Sequence, residues 1–220
     1  MTHYTSVMDT VNLFRPSPKP EKAFRQLFAR LAPYAELLPT GRRYSLQLSH
    51  NETSWCYLLE KGYVSVNRTD DKLLLNSESA PFIFGFTSLL GHTPGSLFLR
   101  TSEDALVKRL PMTRAMEIIE KEALWESLYD VLSHLSLRLF SHCTRISQPG
   151  SYDTIRFLLL ELSAEPAAIR NSESVVNYIH SRSFLSRSGI SAVLSALRQG
   201  SYIEISHGRL VSVNTLPAGF

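Results

Sequence analysis

The spacing of apolar residues predicts a first half built mainly of short strands. After a proline-broken leader, residues 21–38 have the apolar spacing of a short helix. From residue 44 to residue 110 the pattern changes to short runs of β-forming residues, separated by turn residues. The predicted strands include residues 45–48, 55–59, 63–67, 73–75, 81–84, 96–100 and 105–110. Several short strands at this spacing are typical of a small antiparallel sandwich or barrel.

Helical spacing replaces the strand pattern from residue 113 onward. A helix over 113–121 leads into a longer one that ends near residue 147, where Pro149 and Gly150 stop it. Three more helices and two strands are predicted over 152–162, 175–181, 186–199, 202–206 and 209–213. This is the element order of a winged helix-turn-helix. We therefore expect a leader, short helix and barrel over 1–112, a helical connector over 113–150, and a winged helix-turn-helix over 151–220.

The long helix carries an apolar seam with alternating spacings of three and four residues. Its members are Trp125, Leu128, Leu132, Leu135 and Leu139. Such a seam suits two helices that wind together, which predicts a homodimer. The alternative is a helix packed on its own barrel, because a run of about three heptads does not distinguish the two. Val131 and Cys143 offer a second apolar flank for the barrel, which favours the dimer.

The stretch 185–203 contains the residues most suited to contact DNA. Ser186 is predicted to cap a helix there. The apolar face of this helix is formed by Ile190, Val193, Leu194 and Leu197, and its other faces carry Arg187, Ser188, Ser191, Ser195 and Arg198. Small side chains permit close approach to a major groove, and arginine can bind guanine through two hydrogen bonds. The pattern predicts a DNA-reading helix, and the alternative is an ordinary amphipathic surface helix.

The distribution of charge supports DNA binding more than the total does. The chain of 220 residues is 44% hydrophobic and 20% charged, as in packed globular proteins, and its net charge is only +3. Between residues 181 and 211, however, four arginines stand against Glu204 alone, which gives 4 − 1 = +3. These arginines are Arg182, Arg187, Arg198 and Arg209. The whole excess therefore lies on the predicted reading module, where Arg209 in the hairpin is expected to contact phosphate.

Several classes of protein are disfavoured by what the sequence lacks. Cys56 and Cys143 are too few for a disulfide framework, a zinc site or an iron–sulfur cluster. The chain has no His-x-His, phosphate-binding glycine loop, nucleophile elbow or HExxH pattern, so we expect neither an enzyme nor a cofactor. It also has no apolar run long enough for a membrane span and no signal peptide. We expect a cytoplasmic protein without a membrane partner.

The order of barrel, long helix and winged helix-turn-helix over residues 44–213 resembles the Crp/Fnr family of bacterial transcription regulators. The resemblance is carried by Lys61-Gly62 between two strands, Ile83-Phe84-Gly85, Ser186-Arg187, Tyr202-Ile203 and His207-Gly208. Within that family the chain is similar to divergent enterobacterial regulators named for inhibiting hydrogen peroxide resistance. The resemblance implies an α+β fold with an antiparallel β-barrel or jelly roll of the cyclic-nucleotide-binding type. It also implies a sequence-specific regulator that binds double-stranded DNA as a homodimer and contacts RNA polymerase.

The chain departs from the family at its ligand pocket. In cyclic-nucleotide-binding members the cassette glycine is followed by glutamate, and a later Arg-Ser pair binds the phosphate. Here Gly85 is followed by Phe86, and the pair is Gly95-Ser96, so we expect no cyclic AMP binding. The barrel either binds another, unidentified small molecule or none. An apolar ligand could contact Phe82, Phe84 and Phe86, but we expect these side chains to be core.

Two further expectations concern the winged region. Phe184 replaces the small turn residue that the family has two positions before the serine, which predicts a distorted turn. The different function to consider is a ligand-binding or protein-interaction module that does not bind DNA. Salt dependence separates the two, because phosphate contacts make DNA affinity fall steeply as salt rises.

Overall fold

The chain folds into two structural units whose elements follow the apolar spacing of the sequence. The computed structural model describes residues 18–39, 45–50, 53–69, 72–86, 97–217 and 219. One unit is Pro18–Leu137, called here the barrel unit. The described residues of the other, called here the C-terminal unit, begin at Arg138. The boundary between the units falls within the long helix.

The barrel unit begins with a helix and continues with strands before the chain becomes helical again. Its elements are α1 (Glu21–Leu31), β1 (Glu36–Leu37), β2 (Ser45–Gln47), β3 (Ser49–His50), β4 (Thr53–Lys61), β5 (Tyr63–Arg68), β6 (Leu74–Ser79), β7 (Phe82–Phe84), β8 (Leu97–Thr101), β9 (Leu106–Pro111), α2 (Met112–Lys121) and the first part of α3 (Trp125–Ile146). The strand positions predicted from alternation agree with these bounds to within a few residues.

Two antiparallel sheets form the barrel. In the first, strands are ordered β1-β9-β4-β3, and β7 also pairs with β4. In the second, the order is β2-β8-β5-β6. The register places Tyr57 opposite Arg109 in the first sheet and Ser65 opposite Arg100 in the second. The predicted antiparallel barrel of an α+β protein is confirmed.

The barrel core is apolar and includes residues from both helices that flank the strands. Phe24 of α1 lies 4.8 Å from Phe82, and Phe82 lies 4.6 Å from Phe84, measured between ring centroids. Phe82, Phe84 and Phe86 are all buried, so the expectation that they are core is confirmed. Cys56 is buried as well, and this burial raises the pKa of its thiol, which disfavours the reactive thiolate.

The helix predicted over residues 21–38 is shorter than expected. It ends at Leu31, and a 3-10 turn over Ala32–Tyr34 contains Pro33. Proline has no N–H to donate, so the hydrogen-bond ladder of the α-helix does not continue through residue 33. The chain instead forms β1, and the N–H of Leu38 donates to the carbonyl of Val107 at 2.9 Å. The sequence prediction was wrong after residue 31.

Packing of the backbone requires a glycine at position 85. Gly85 has φ +111°, a conformation that other residues rarely adopt. A Cβ placed on it would lie 2.2 Å from the carbonyl oxygen of Trp55 and 2.9 Å from Cε of Met112. The glycine of this family pattern therefore has a steric role in the barrel.

The C-terminal unit has the expected order of helices and hairpin. Its elements after α3 are α4 (Ser151–Ala164), α5 (Ala167–Arg170), α6 (Val175–Ser181), α7 (Arg187–Gln199), β10 (Ile203–Ser206) and β11 (Arg209–Val213). His207 and Gly208 connect the two strands with φ values of 49° and 77°, as a tight hairpin turn with two left-handed residues requires. The carbonyl of Gly208 accepts a hydrogen bond from the N–H of Val175, so the wing turn is tied to the start of α6.

We predict that Gly85→Ala destabilises the barrel unit by at least about 2 kcal/mol, because the new methyl group meets fixed backbone and the residue is held at positive φ. The measurement is urea unfolding followed by tryptophan fluorescence, since both tryptophans, Trp55 and Trp125, lie in this unit. Gly219→Ala is the control, because a Cβ there meets nothing within 4 Å. Equal stability of the two variants would contradict the steric argument.

Candidate nucleic-acid interface

Helix α7 has the features of a helix that contacts DNA. The Ser186 hydroxyl oxygen accepts from the N–H of Gly189 at 3.2 Å, so the predicted N-cap is confirmed. Ile190, Leu194 and Leu197 are buried and attach the helix to its unit. Within residues 186–199 the exposed residues are Ser186, Arg187, Ser188, Gly189, Ser191, Ala192, Ser195, Arg198 and Gln199. No acidic residue occurs within α7, so its exposed side can approach phosphates without charge repulsion.

The first residue of α7, Arg187, is oriented by the preceding helix. Its Nη1 donates to Oδ1 of Asn177 on α6 at 2.6 Å, and both side chains are exposed. Asn177 was not among the residues predicted from the sequence. A signal was present, because Val175, Tyr178 and Ile179 form the buried side of α6, which leaves position 177 on the outer side.

The turn between α6 and α7 is well formed despite its phenylalanine. No residue from 182 to 186 has a positive φ, so the turn does not need a glycine at position 184. The Ser183 hydroxyl donates to the carbonyl of Ile179 at 2.8 Å, and Nδ1 of His180 lies 3.0 Å from the carbonyl oxygen of Leu185. Phe184 itself points to solvent and is 77% exposed. The large side chain is accommodated by exposure, and a distortion of the turn relative to the family stays a prediction.

Arg182 does not contribute to the basic surface. It is only 2% exposed, and its Nη1 donates to Oε1 of Glu173 at 2.9 Å. Its guanidinium carbon lies 3.5 Å from the centroid of the Tyr178 ring. The charge count over residues 181–211 therefore overstated the accessible positive charge. Arg187, Arg198 and Arg209 remain as candidates for DNA contacts.

Buried polar groups connect α6 to α4. The Tyr178 hydroxyl donates to Oε1 of Glu161 at 2.8 Å, and both residues are buried. Burial, together with the negative charge of Glu161, raises the pKa of Tyr178 well above its ordinary value. Glu165, the residue that follows α4, is also buried and forms an ion pair with Arg138 at 3.4 Å. The sequence carries a signal for these buried contacts, because Glu161 lies within the apolar run of α4.

Arg209 in the wing is less available than expected. It begins β11, pairs with Ser206 across the hairpin and is half-buried. Its Nη1 is enclosed and has no hydrogen-bond partner among the described residues. This donor does not reach solvent, so a phosphate contact by Arg209 would depend on the exposed part of its side chain.

Comparison with known proteins places the chain in a family. Residues 151–218 match the family described as winged helix-turn-helix DNA binding. The inhibitor of hydrogen peroxide resistance of Salmonella typhimurium is 33% identical over 164 residues, which cover 74% of this chain and 79% of that protein. The chain belongs to the inhibitor of hydrogen peroxide resistance family. The similarity to this group that the sequence indicated is therefore confirmed.

Solved structures show the fold that this family member has. The c-di-GMP responsive global regulator CLP of Xanthomonas campestris superposes with a TM-score of 0.64 at 18% identity, covering 87% of this chain and 100% of that one. A transcriptional regulator of the CRP family from Thermus thermophilus has a TM-score of 0.54 at 20% identity, covering 81% and 92%. The chain thus combines the fold of Crp-type regulators with a winged helix-turn-helix of the DNA-binding kind.

In this member of the family, helix α3 has two apolar sides. Leu128, which is 3% exposed, and Val131 belong to the barrel core, and Leu132 and Leu135 are half-buried against it. The predicted seam therefore does not lie on one exposed side of the helix, because its Leu128 is buried in the barrel core whereas its Leu139 is exposed. A second set, called here the α3 stripe, follows spacings of four and three residues and consists of Trp125, Tyr129, Leu132, Ser136, Leu139 and Cys143. Tyr129 and Leu139 are 70% and 63% exposed. None of the described helices is both long and apolar enough to span a bilayer.

The resemblance predicts that Phe86 stands where cyclic-nucleotide-binding members have glutamate. Phe86 is buried, and the preceding Gly85 is held against the Trp55 carbonyl. Gly95 and Ser96, the other two residues of the predicted degenerate pocket, lie outside the described residues.

We predict that the C-terminal unit loses stability above pH 10 and that Tyr178→Phe removes part of this loss. A raised pKa means that the folded state favours the neutral phenol. The stabilisation is therefore complete below the unfolded value of about 10 and is lost as pH rises towards the folded value, by up to about 1.4 kcal/mol per pH unit. The measurement is urea unfolding at pH 8 to 11 by circular dichroism. Tyr34→Phe, an exposed tyrosine in the barrel unit, is the control. An unchanged slope in Tyr178→Phe would refute the assignment.

Proposed function

We propose that the protein is a sequence-specific transcription regulator that binds double-stranded DNA as a homodimer in the cytoplasm. The observation that carries this proposal is the exposed, acid-free side of α7 within a region that matches the winged helix-turn-helix family. The name of the relative from Salmonella typhimurium supports target genes that affect hydrogen peroxide resistance. RNA polymerase is a further partner implied by the resemblance to Crp/Fnr regulators.

The position of each polar residue on α7 supports a different role at the DNA. Arg187 lies at the N-terminal end, which enters the major groove in helix-turn-helix proteins, so we assign it to a base. Ser188 and Ser191 are exposed and short enough to contact base edges or phosphates. Arg198 lies 11 residues later, roughly 16 Å along the helix, so it fits the backbone of a neighbouring segment. The Ser186 oxygen caps the helix and also lies 3.2 Å from the Ser188 hydroxyl oxygen, so one of these two hydroxyls donates to the other and one hydrogen remains for phosphate.

The α3 stripe supports the homodimer. An exposed Tyr129 and Leu139 on one side of a 22-residue helix are costly to leave in water. Successive members of the α3 stripe are spaced by four and three residues, the spacing found where two helices pack along each other. A second copy of the chain presents the same stripe, so pairing about a two-fold axis would cover both. We retain residues 113–150 as the connector and dimerisation segment.

The barrel is proposed to have lost cyclic-nucleotide binding. Phe86 supports this, because a buried ring stands where relatives have the glutamate that binds ribose. The packed phenylalanine core supports a scaffold function in preference to an apolar ligand site. We accordingly expect no cofactor and no catalytic activity.

We predict that Arg187→Ala reduces affinity for a duplex selected from random DNA by about 1–3 kcal/mol, and that it affects a scrambled duplex much less. Loss of a base contact removes discrimination at one base pair. Arg209→Ala should instead weaken binding to both duplexes and reduce the slope of affinity against salt by about one unit. The measurement is a pair of fluorescence-anisotropy titrations at several salt concentrations.

The control for these titrations is Arg25→Ala, which removes an exposed arginine from the barrel unit. Equal losses on both duplexes for Arg187→Ala would make this residue a backbone contact. Wild-type protein that binds neither duplex would reject the regulator and favour the protein-interaction module.

We predict that Leu139→Glu converts the dimer into a monomer, because a charge in an apolar interface loses its hydration without gaining a partner. Leu137→Glu is the matched control. Leu137 is also exposed but lies about 200° around the helix from Leu139, so this variant should remain dimeric. Sedimentation at tens of micromolar distinguishes the two, and a monomeric wild type would contradict the proposal.

Cys143 gives a second measurement of the same interface. It is exposed one turn after Leu139 on the α3 stripe, whereas Cys56 is buried, so mild oxidation addresses one thiol. If the two α3 helices pair in parallel, with each Cys143 opposite its copy, oxidation should yield a disulfide-linked dimer. Cys143→Ser should abolish it.

A further inference from the structure

The hydrogen bond between Asn177 and Arg187 joins two exposed side chains of the helix-turn-helix. Nη1 of Arg187 donates to Oδ1 of Asn177 at 2.6 Å. Exposed arginine side chains ordinarily sample many rotamers, and a single hydrogen bond in water contributes little to folding. The pair therefore has little value for stability, although it restricts the residue best placed to read a base.

The backbones on both sides of this contact are fixed. The N–H of Asn177 donates to the hydroxyl of Ser174, the N-cap of α6, and the N–H of Val175 donates to the wing carbonyl of Gly208. Tyr178 and Ile179 are fully buried and hold α6 in its unit. Arg187 begins a helix that Ser186 caps. Because α6 and α7 are both held in place, the hydrogen bond from Arg187 to Asn177 determines the direction of the guanidinium.

The contact leaves the reading edge of the guanidinium available. Arginine has five N–H donors, and Asn177 accepts one of them from Nη1. The edge formed by Nε and Nη2 keeps two parallel donors, which match O6 and N7 of guanine. Asparagine is also uncharged, and neither α6 nor α7 contains an acidic residue, so the positive charge of Arg187 remains available to DNA.

We propose that Asn177 is a positioning residue that holds the Arg187 guanidinium in its base-reading orientation before DNA is bound. This inference rests on the proposed function, because it needs Arg187 to contact a base. Preorganisation of this kind increases affinity where the oriented group is used and has little effect elsewhere. Asn177 should therefore affect discrimination between sequences and should act only through Arg187.

The test is a double-mutant cycle on the full chain with Asn177→Ala, Arg187→Ala and the double variant. Each protein is titrated with a duplex selected by the wild type and with a scrambled duplex. We expect Asn177→Ala to lose about 5-fold or more in affinity for the selected duplex and less than about 2-fold for the scrambled one. In the Arg187→Ala background, Asn177→Ala should cause no further loss. Gln199→Ala, which removes an exposed amide at the other end of α7, should leave both affinities unchanged.

The outcomes separate this inference from the proposed function. If Arg187→Ala weakens the selected duplex while Asn177→Ala weakens both duplexes equally, Asn177 is a backbone contact and the positioning role is overturned. Additive losses in the double variant, or no loss in Asn177→Ala, overturn it as well. If Arg187→Ala leaves both duplexes unchanged, the base-reading role of α7 and the positioning role fall together. Circular dichroism of each variant shows whether the fold is retained.

Discussion

The surface formed by α6 and α7 depends on the ion pair between the buried guanidinium of Arg182 and Glu173. A charged group that leaves water must recover its hydration from hydrogen bonds. Arg182 obtains them from the Glu173 carboxylate, the Tyr178 carbonyl and the Ser181 hydroxyl, and it also stacks on the Tyr178 ring. Because Arg182 immediately follows α6, satisfying its charge fixes the point at which the chain turns towards α7. Removing the Glu173 carboxylate would leave this buried charge without its paired anion.

This arrangement explains why the turn tolerates Phe184. Glycine is needed in a turn when the backbone enters the left-handed region, and here it does not, since residues 182–186 keep negative φ. The hydroxyl of Ser183 and the ring of His180 hold the turn from the side of α6. Phe184 therefore changes what the turn presents to solvent without requiring a left-handed backbone.

Elements with strong local signals were predictable from the sequence, and the facing of side chains was not. The wing turn needed only His207-Gly208, and the start of α7 needed only Ser186, because both depend on nearby residues. By contrast, α3 has apolar residues on adjacent sides, and spacing alone does not show which side meets the barrel. The burial of Arg182 and the contact between Asn177 and Arg187 depend on tertiary packing. The sequence shows that Arg182 and Arg187 are both positively charged, and only the structure shows that Arg182 is buried while Arg187 is exposed.

Gly85 belongs to a sequence pattern of the Crp/Fnr family, and in this barrel the packing of the backbone alone is enough to require it. Gly85 is required by the Trp55 carbonyl, so its presence carries no information about cyclic nucleotides. The core beside it continues into α3, where the His134 ring lies edge-on to Phe24 and Phe82 at 6.2 and 6.3 Å. A close-packed core transmits displacement because it has little free volume. The barrel therefore sets the rotation of the first part of α3 by packing, and that rotation determines which of its apolar side chains remain exposed.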